Sequence, residues 1–452
     1  ALDELLAAPE LGTGFVGVHV LDLAAGREVY SRNAHKRFLP ASNQKLFTTA
    51  AALLTLGPEH RFTTRVLFTG EVRGGVLHGD LLVEGGGDPA LTYSGCEAGP
   101  CLTRLARAVA RAGIRRVDGD VLALASCFGG PGLGKGWQWD DAPHAYSAPA
   151  SALALDGNTA VVTVRPGTAP GQKLRVGVFP PGDGMAVTNL GATSRRGRKA
   201  DLAVTRLRGR NVVEVAGTLP VGHGPVRRVV TMARPAEVFA GALEVALADA
   251  GVAVDGDAAV RYSGCAPPGA RLIAESASPP LRDLVHRVNK DSDNFTAEQM
   301  LKAMGFAATG SGTAEAGARV VSGRLFDLGA PYREYHIVDG SGLSRLDLAS
   351  PFAFTALLAA MRTTPRFADF VASLPIAGVD GTLEHRMRGT PAEGRVRAKT
   401  GSMTGVQALS GYVWDRAGRI YAVSILANNV AGSPHRLRRL QDRICAVIAG
   451  LD

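Results

Sequence analysis

From Phe15 to Asn33 apolar and polar residues alternate on either side of Gly26, in "GFVGVHVLDLAAGREVYSRN". That period of two predicts a hairpin of half-buried strands. At Ser42 the period changes. Leu46, Ala50, Leu53 and Leu54 recur at helical spacing, so a helix is expected to begin there with Ser42 as its natural cap. From about 62 to 277 the chain is Gly-rich and reads as short strands, with two helices near Leu102–Ala112 and Ala236–Ala250. Helical spacing returns at Pro279 and persists through "SPFAFTALLAAMRTT". Two strand-like runs follow, "RVRAKTGSMTGVQALSGYVW" and "RIYAVSILANN", and then a helix over Pro434–Ala449. Two ends of similar texture around a β-rich middle predict one α/β domain split by a long insertion that folds separately.

Length agrees, since 452 residues are too many for one ordinary core. No apolar run approaches the ~18 residues that would suggest a membrane span. The start, "ALDELLAAPELG", has Asp3 and Glu4 and no basic n-region, so a leader is expected to have been removed already. The net charge of +9 is carried almost entirely by arginine, with only eight lysines in the chain. The arginines are scattered without interleaved aromatics, which argues against nucleic acid. A basic surface drawn to a polyanionic cell envelope is the simpler expectation. On the last helix Arg436, Arg438, Arg439 and Arg443 oppose an apolar stripe and read as a solvated face.

Cys96 and Cys101 bracket a short turn suited to a disulfide. Cys127 and Cys265 could pair or lie buried, and Cys445 reads as a core thiol. The cysteines favour an oxidising compartment. With no C-x-x-C, no H-E-x-x-H and dispersed histidines, no metal or other cofactor is expected. "GGPGLGKG" approximates a phosphate-binding loop, but Gly136 stands where the Mg²⁺-binding Ser or Thr belongs.

Three short motifs carry chemistry. Ser42-Asn43-Gln44-Lys45 places an amine one helical turn from a hydroxyl, on the same face. A serine needs a base to become a nucleophile, and a lysine serves if burial depresses its pKa. Taken singly, a cap beside a surface lysine is the better explanation, since serine so often caps helices. Ser292-Asp293-Asn294 lies before a helical stretch, where all three residues suit capping. Lys399-Thr400-Gly401, followed by Ser402, opens a strand whose glycine lets a substrate backbone approach. In this order the three are the set of penicillin-recognising serine enzymes. Two of the eight lysines fall at the required positions.

The 250 positions between Ser42 and Ser292 exceed what class A β-lactamases or simple peptidases have there. The chain resembles the penicillin-binding protein type 4 family, the D-alanyl-D-alanine carboxypeptidases/endopeptidases of peptidase family S13. "GDLLVEGGGDPAL", "GWQWDDAPHAYSAPASAL" and "VDGSGLSRLDLAS" resemble segments of that family, though 166–224 is not matched in detail. Asp347 departs from the asparagine more usual after "SGLSR". The resemblance implies a transpeptidase-like α/β domain, an antiparallel sheet flanked by helices, formed by 1–63 and 278–452. It implies an inserted α/β domain at 64–165 and 225–277, with a small β-rich domain at 166–224 nested in it.

The resemblance also implies a reaction. Ser42 attacks the carbonyl before a terminal D-Ala and Lys45 takes its proton. The Ser42 and Ser402 N–H groups hold the oxyanion. Ser292, assisted by Lys399, protonates the departing group. Thr400 and Ser402 bind its carboxylate beside Gly401, and Asn294 binds a substrate amide. For the far end of a cross-linked stem peptide the candidates are Asp141 and Arg345, with Tyr146 and Met403 as walls. The implied partners are peptidoglycan stem peptides and inhibitory β-lactams, and the implied location is extracytoplasmic.

Overall fold

The computed structural model describes residues 1–7, 11, 14–97, 99–430 and 433–452. These form two compact units: 1–60 with 134–137 and 280–452, and 61–133 with 138–279.

The first unit is built on a five-stranded antiparallel sheet. The alternating N-terminal segment forms β1 (Phe15–Asp22) and β2 (Arg27–Arg32), turning at Gly26, whose φ of +63° suits a residue without Cβ. The first strand-like run near the C-terminus is itself a hairpin, β3 (Val396–Met403) and β4 (Val406–Trp414), and the second is β5 (Ile420–Asn428). The order across the sheet is β2-β1-β5-β4-β3, which leaves β3 at an edge.

Side chains alternate across β5. Tyr421, Val423, Ile425 and Ala427 enter one core with Val16, Val18 and Val20 of β1. Leu437, Leu440, Ile444 and Ile448, from the closing helix Pro434–Ala449, cover that face. Helices α1 (Gln44–Thr55), α2 (Leu281–Lys290), α3 (Asn294–Thr309), α4 (Ala314–Asp327) and α5 (Pro351–Met361) precede this closing helix, α6. On the other face Phe47 of α1 stacks on Phe354 of α5 at 4.3 Å, and Tyr412 Oη of β4 donates to the Leu358 carbonyl. This is the expected antiparallel sheet between helices.

In the second unit, strands at 81–85, 121–124 and 258–261 run parallel in a five-stranded sheet completed by 63–68 and 271–277. Helices Leu102–Arg111 and Pro235–Asp249 occur close to where hydrophobic spacing predicts them. Strands between Thr159 and Thr231 pair among themselves and enclose a separate core of Val162, Val164, Val213 and Val215.

Cys96 and Cys101 form a disulfide. Cys127 and Cys265 do not pair. Cys265 is exposed and Cys127 half-buried, with its thiol donating to the Gly85 carbonyl. Cys445 is buried, which pushes its thiol up to about 12. Among the described residues no helix is long and apolar enough to cross a membrane.

Candidate active site

The helix predicted at Ser42 starts later. Ala41–Asn43 form a 3₁₀ turn and α1 begins at Gln44. No side chain caps either element, so the Ser42 hydroxyl does not serve as a cap. The backbone there is strained, with Ala41 at φ +47°. Two glycines from distant segments fit around it. A Cβ on Gly401 would stand 2.8 Å from the Pro40 carbonyl, and one on Gly342 would collide with the Ala41 carbonyl. Glycine in K-T-G therefore lets an edge strand lie directly against the Ser42 turn.

Lys45 lies on the first turn of α1 and is wholly buried. Its Nζ is 2.9 Å from Ser42 Oγ, 2.5 Å from Asn294 Oδ1 and 2.7 Å from the Ser341 carbonyl. As an ammonium it donates to all three. As an amine it has two protons, for Asn294 and Ser341, and a lone pair left to face Ser42. The same site thus accommodates both protonation states. Burial pushes Lys45 down to about 8, against the opposing pull of Asp339, Glu298, Asp293 and Asp347.

Within S-D-N the roles divide. Asp293 caps α3 by accepting from the Thr296 N–H, and it pairs with Arg287 at 2.5 Å. Ser292 is held at φ +62°, and its hydroxyl is 2.9 Å from Lys399 Nζ. Lys399, buried on β3, also donates to its neighbour's carbonyl at 3.0 Å. Burial, and then the charge of Lys45, keep it well below the usual lysine range. Ser42, Ser292, Thr400 and Ser402 line one cavity of about 380 Å³.

Two hydroxyl–amine pairs facing one cavity are the equipment of acyl transfer, one to make a nucleophile and one to move a proton to a leaving group. The sequence model of the D-Ala-D-Ala carboxypeptidase 3 (S13) family matches residues 1–449. This chain belongs to that family. As an S13 peptidase it is a serine-type D-Ala-D-Ala carboxypeptidase. It is 37% identical over 448 residues to a D-alanyl-D-alanine carboxypeptidase of Actinomadura sp. (strain R39), covering 95% of this chain and 81% of that one. It is 28% identical over 413 residues to the D-alanyl-D-alanine carboxypeptidase DacB of Haemophilus influenzae, covering 89% and 83%. A crystal structure of penicillin binding protein 4 (dacB) from Haemophilus influenzae superposes with a TM-score of 0.87 at 25% identity, covering 100% of this chain and 99% of that one.

Several parts of this S13 site were not visible in the sequence. Behind Lys45 lies a set of buried carboxyls. Glu298 Oε1 accepts from the Gly340 and Ser341 N–H groups at 3.0 and 2.8 Å. Asp339 accepts from the N–H groups of Gly342 and Ser344 and from Trp137 Nε1. Asp347 accepts from the Val338 N–H at 2.7 Å. Burial, reinforced by Asp339, pushes Glu298 up to about 8 and Asp347 well above the carboxylate range. The neighbouring Asp339 carboxyl adds to burial in favouring the protonated form of Asp347. The cavity also holds Thr382, Arg386 and Arg438, so Arg438 is not on the solvated face expected of α6.

The outer candidates are scattered. Met403, at the end of β3, lines a neighbouring cavity of about 430 Å³ with Val430 and Leu437. Arg345 Nη2 reaches the Thr404 carbonyl at 3.5 Å. Asp141 and Tyr146 belong to the second unit, where Tyr146 Oη donates to Asp141 Oδ1 at 2.6 Å. Gly136, in the loop that resembled a phosphate site, packs instead in the first unit, where a Cβ would meet Ser344 and Leu346 at 2.8 Å.

Proposed function

We propose that Ser42 is the nucleophile of a peptidase that removes the terminal D-Ala of peptidoglycan stem peptides and opens D-Ala cross-links. The observation that carries this reading is the 2.9 Å approach of Ser42 Oγ to a buried Lys45 whose other proton acceptors are fixed. Lys45 takes the hydroxyl proton as the Ser42 Oγ–carbon bond forms. The Ser42 and Ser402 N–H groups hold the oxyanion. The carbon–nitrogen bond to D-Ala then breaks, and Ser292, supplied by Lys399, gives the departing amine its proton. Thr400 and Ser402 hold the leaving carboxylate beside Gly401, and Asn294 holds the substrate amide. Water hydrolyses the ester and restores the serine.

A penicillin offers the same carbonyl but retains its amine after ring opening, so the ester persists and the enzyme is inhibited. Asp141 and Arg345 are our candidates for the ammonium and carboxylate at the far end of a cross-linked substrate, with Tyr146 and Met403 as walls. The Trp/Tyr-rich character of 136–146 supports this. The substrate places the protein outside the cytoplasm, and its net charge of +9 suits peripheral association with an anionic envelope. We read 166–224 as a small domain nested in the inserted one.

Intact mass after penicillin treatment tests the reading. The wild type gains one whole penicillin, the mass expected when a ring opens with nothing lost, and Ser42→Ala gains none. An adduct on Ser42→Ala would refute it.

A further inference from the structure

The cavity at Ser42 contains two guanidinium groups and, among the described residues, no carboxylate in its lining. The two arginines differ in their commitments. Arg386 sends Nε and Nη2 to Asp442 Oδ1 at 2.9 and 2.7 Å, and Nη2 also to Gln441 Oε1 at 3.1 Å. Its charge is matched, and its side chain is only 13% exposed. Nη2 of Arg386 also reaches the Arg438 carbonyl at 3.1 Å, fixing that turn of α6.

Arg438 makes no ion pair among the described residues. Its Nε donates to Gln407 Oε1 at 3.4 Å, and Gln407 in turn donates to Ser402 Oγ at 2.6 Å. Gln407 is buried on β4, so one rigid amide orients both the guanidinium and the hydroxyl. Thr400 Oγ1 pairs with Thr382 Oγ1 at 2.8 Å in the same cavity. An unpaired cation held beside two hydroxyls is a receptor for a carboxylate, and hydroxyls alone would leave that charge unmatched.

We propose that Arg438 determines specificity for the free α-carboxylate of the departing D-amino acid, with Gln407 and the Arg386–Asp442 pair holding it in position. This rests on Ser42 being the nucleophile of a D-Ala-D-Ala peptidase. A substrate with a blocked C-terminus forgoes the interaction, so Arg438 favours carboxypeptidase over endopeptidase turnover wherever the cross-link lacks a carboxylate at that atom.

The test compares a peptide ending in D-Ala-D-Ala with its C-terminal amide, on the full chain, for wild type, Arg438→Gln and Arg438→Lys. Arg438→Gln is expected to lower the acid-over-amide preference in kcat/KM by about 10- to 100-fold, chiefly through KM, because a charge-assisted pair is replaced by a neutral one. Arg438→Lys should restore at least part of that preference, since it returns the charge without the fork. Equal losses on acid and amide, or a preference that changes less than about twofold in both variants, would overturn the assignment. Penicillin labelling of each protein to completion separates the two levels. A wild type that fails to label at Ser42 removes the peptidase reading and this one with it. A wild type that labels, with acid preference intact in the variants, removes Arg438 alone.

Discussion

The state of Lys45 can be tested directly by titrating acylation. An ordinary lysine sits near 10.5, whereas burial brings this one to about 8. The difference corresponds to about 3 kcal/mol in favour of the neutral amine, at ~1.4 kcal/mol per tenfold change. At pH 7 about one-tenth of the molecules then carry a neutral Lys45, against roughly 0.03% for an unperturbed lysine, a gain of about 300-fold in available base. The second-order rate of acylation by a fluorescent penicillin reports ionisations of the free enzyme. It should rise about tenfold from pH 7 to pH 9 and flatten above that, because a base with its pKa near 8 is by then about nine-tenths neutral. Lys45→Arg should lose the ascending limb, since a guanidinium does not give up its proton in this range. Circular dichroism at each pH checks that the fold persists. A rate that climbs tenfold per pH unit through pH 10 would mean an unperturbed lysine. A flat profile would mean that Lys45 is not the base. Either result would refute the reasoning.

Three further outcomes follow from the same geometry. Gly342→Ala should lower Tm and slow penicillin acylation together, by about 2 kcal/mol or more in stability, because its φ of +79° disfavours a side chain and the Cβ would collide with Ala41. Normal acylation in that variant would detach Gly342 from the nucleophile. Asp347→Asn should gain Tm relative to wild type as pH rises from 4 to 7. The folded state holds the Asp347 proton above the pH at which the unfolded chain releases it, so this carboxyl costs stability progressively across that window and an amide does not. A constant difference between the two melting curves would contradict this. Asp141→Ala and Arg345→Ala should each raise KM for cross-linked substrates that carry a free D-amino-acid terminus, and unchanged KM in both would remove them from the site.

The centre of the site was legible because its chemistry is written in local strings. S-x-x-K, S-D-N and K-T-G are each short local strings, and the fold brings Ser42 and Asn294 to Lys45 and Ser292 to Lys399. Hydrophobic period likewise located the terminal hairpin and α6. What failed was anything settled by tertiary packing. Ser42 looked like a cap, but the helix begins two residues later, while Asp293, within S-D-N, is a cap. Glu298, Asp339 and Asp347 are ordinary acids in sequence, and only the fold buries them near Lys45, where they oppose the downward push of burial on its amine. Arg438 follows the helical pattern of a solvated face. It turns inward because Gln407, on a strand hydrogen-bonded to K-T-G, lies beneath it. The short return of 134–137 to the first unit has no compositional signal, since it depends on Ser344 and Asp339 as partners for Lys135 and Trp137.

The strand order has a consequence for how the sheet is held together. β5, the middle strand of the sheet, comes after the sheet's other four strands along the chain, and it alone connects the β1–β2 hairpin to the β3–β4 hairpin. A chain truncated before Ile420 keeps all three motifs, yet it lacks the one strand that pairs with both β1 and β4. Without that strand the sheet falls into two hairpins, β1–β2 and β3–β4, one from each side of the long insertion.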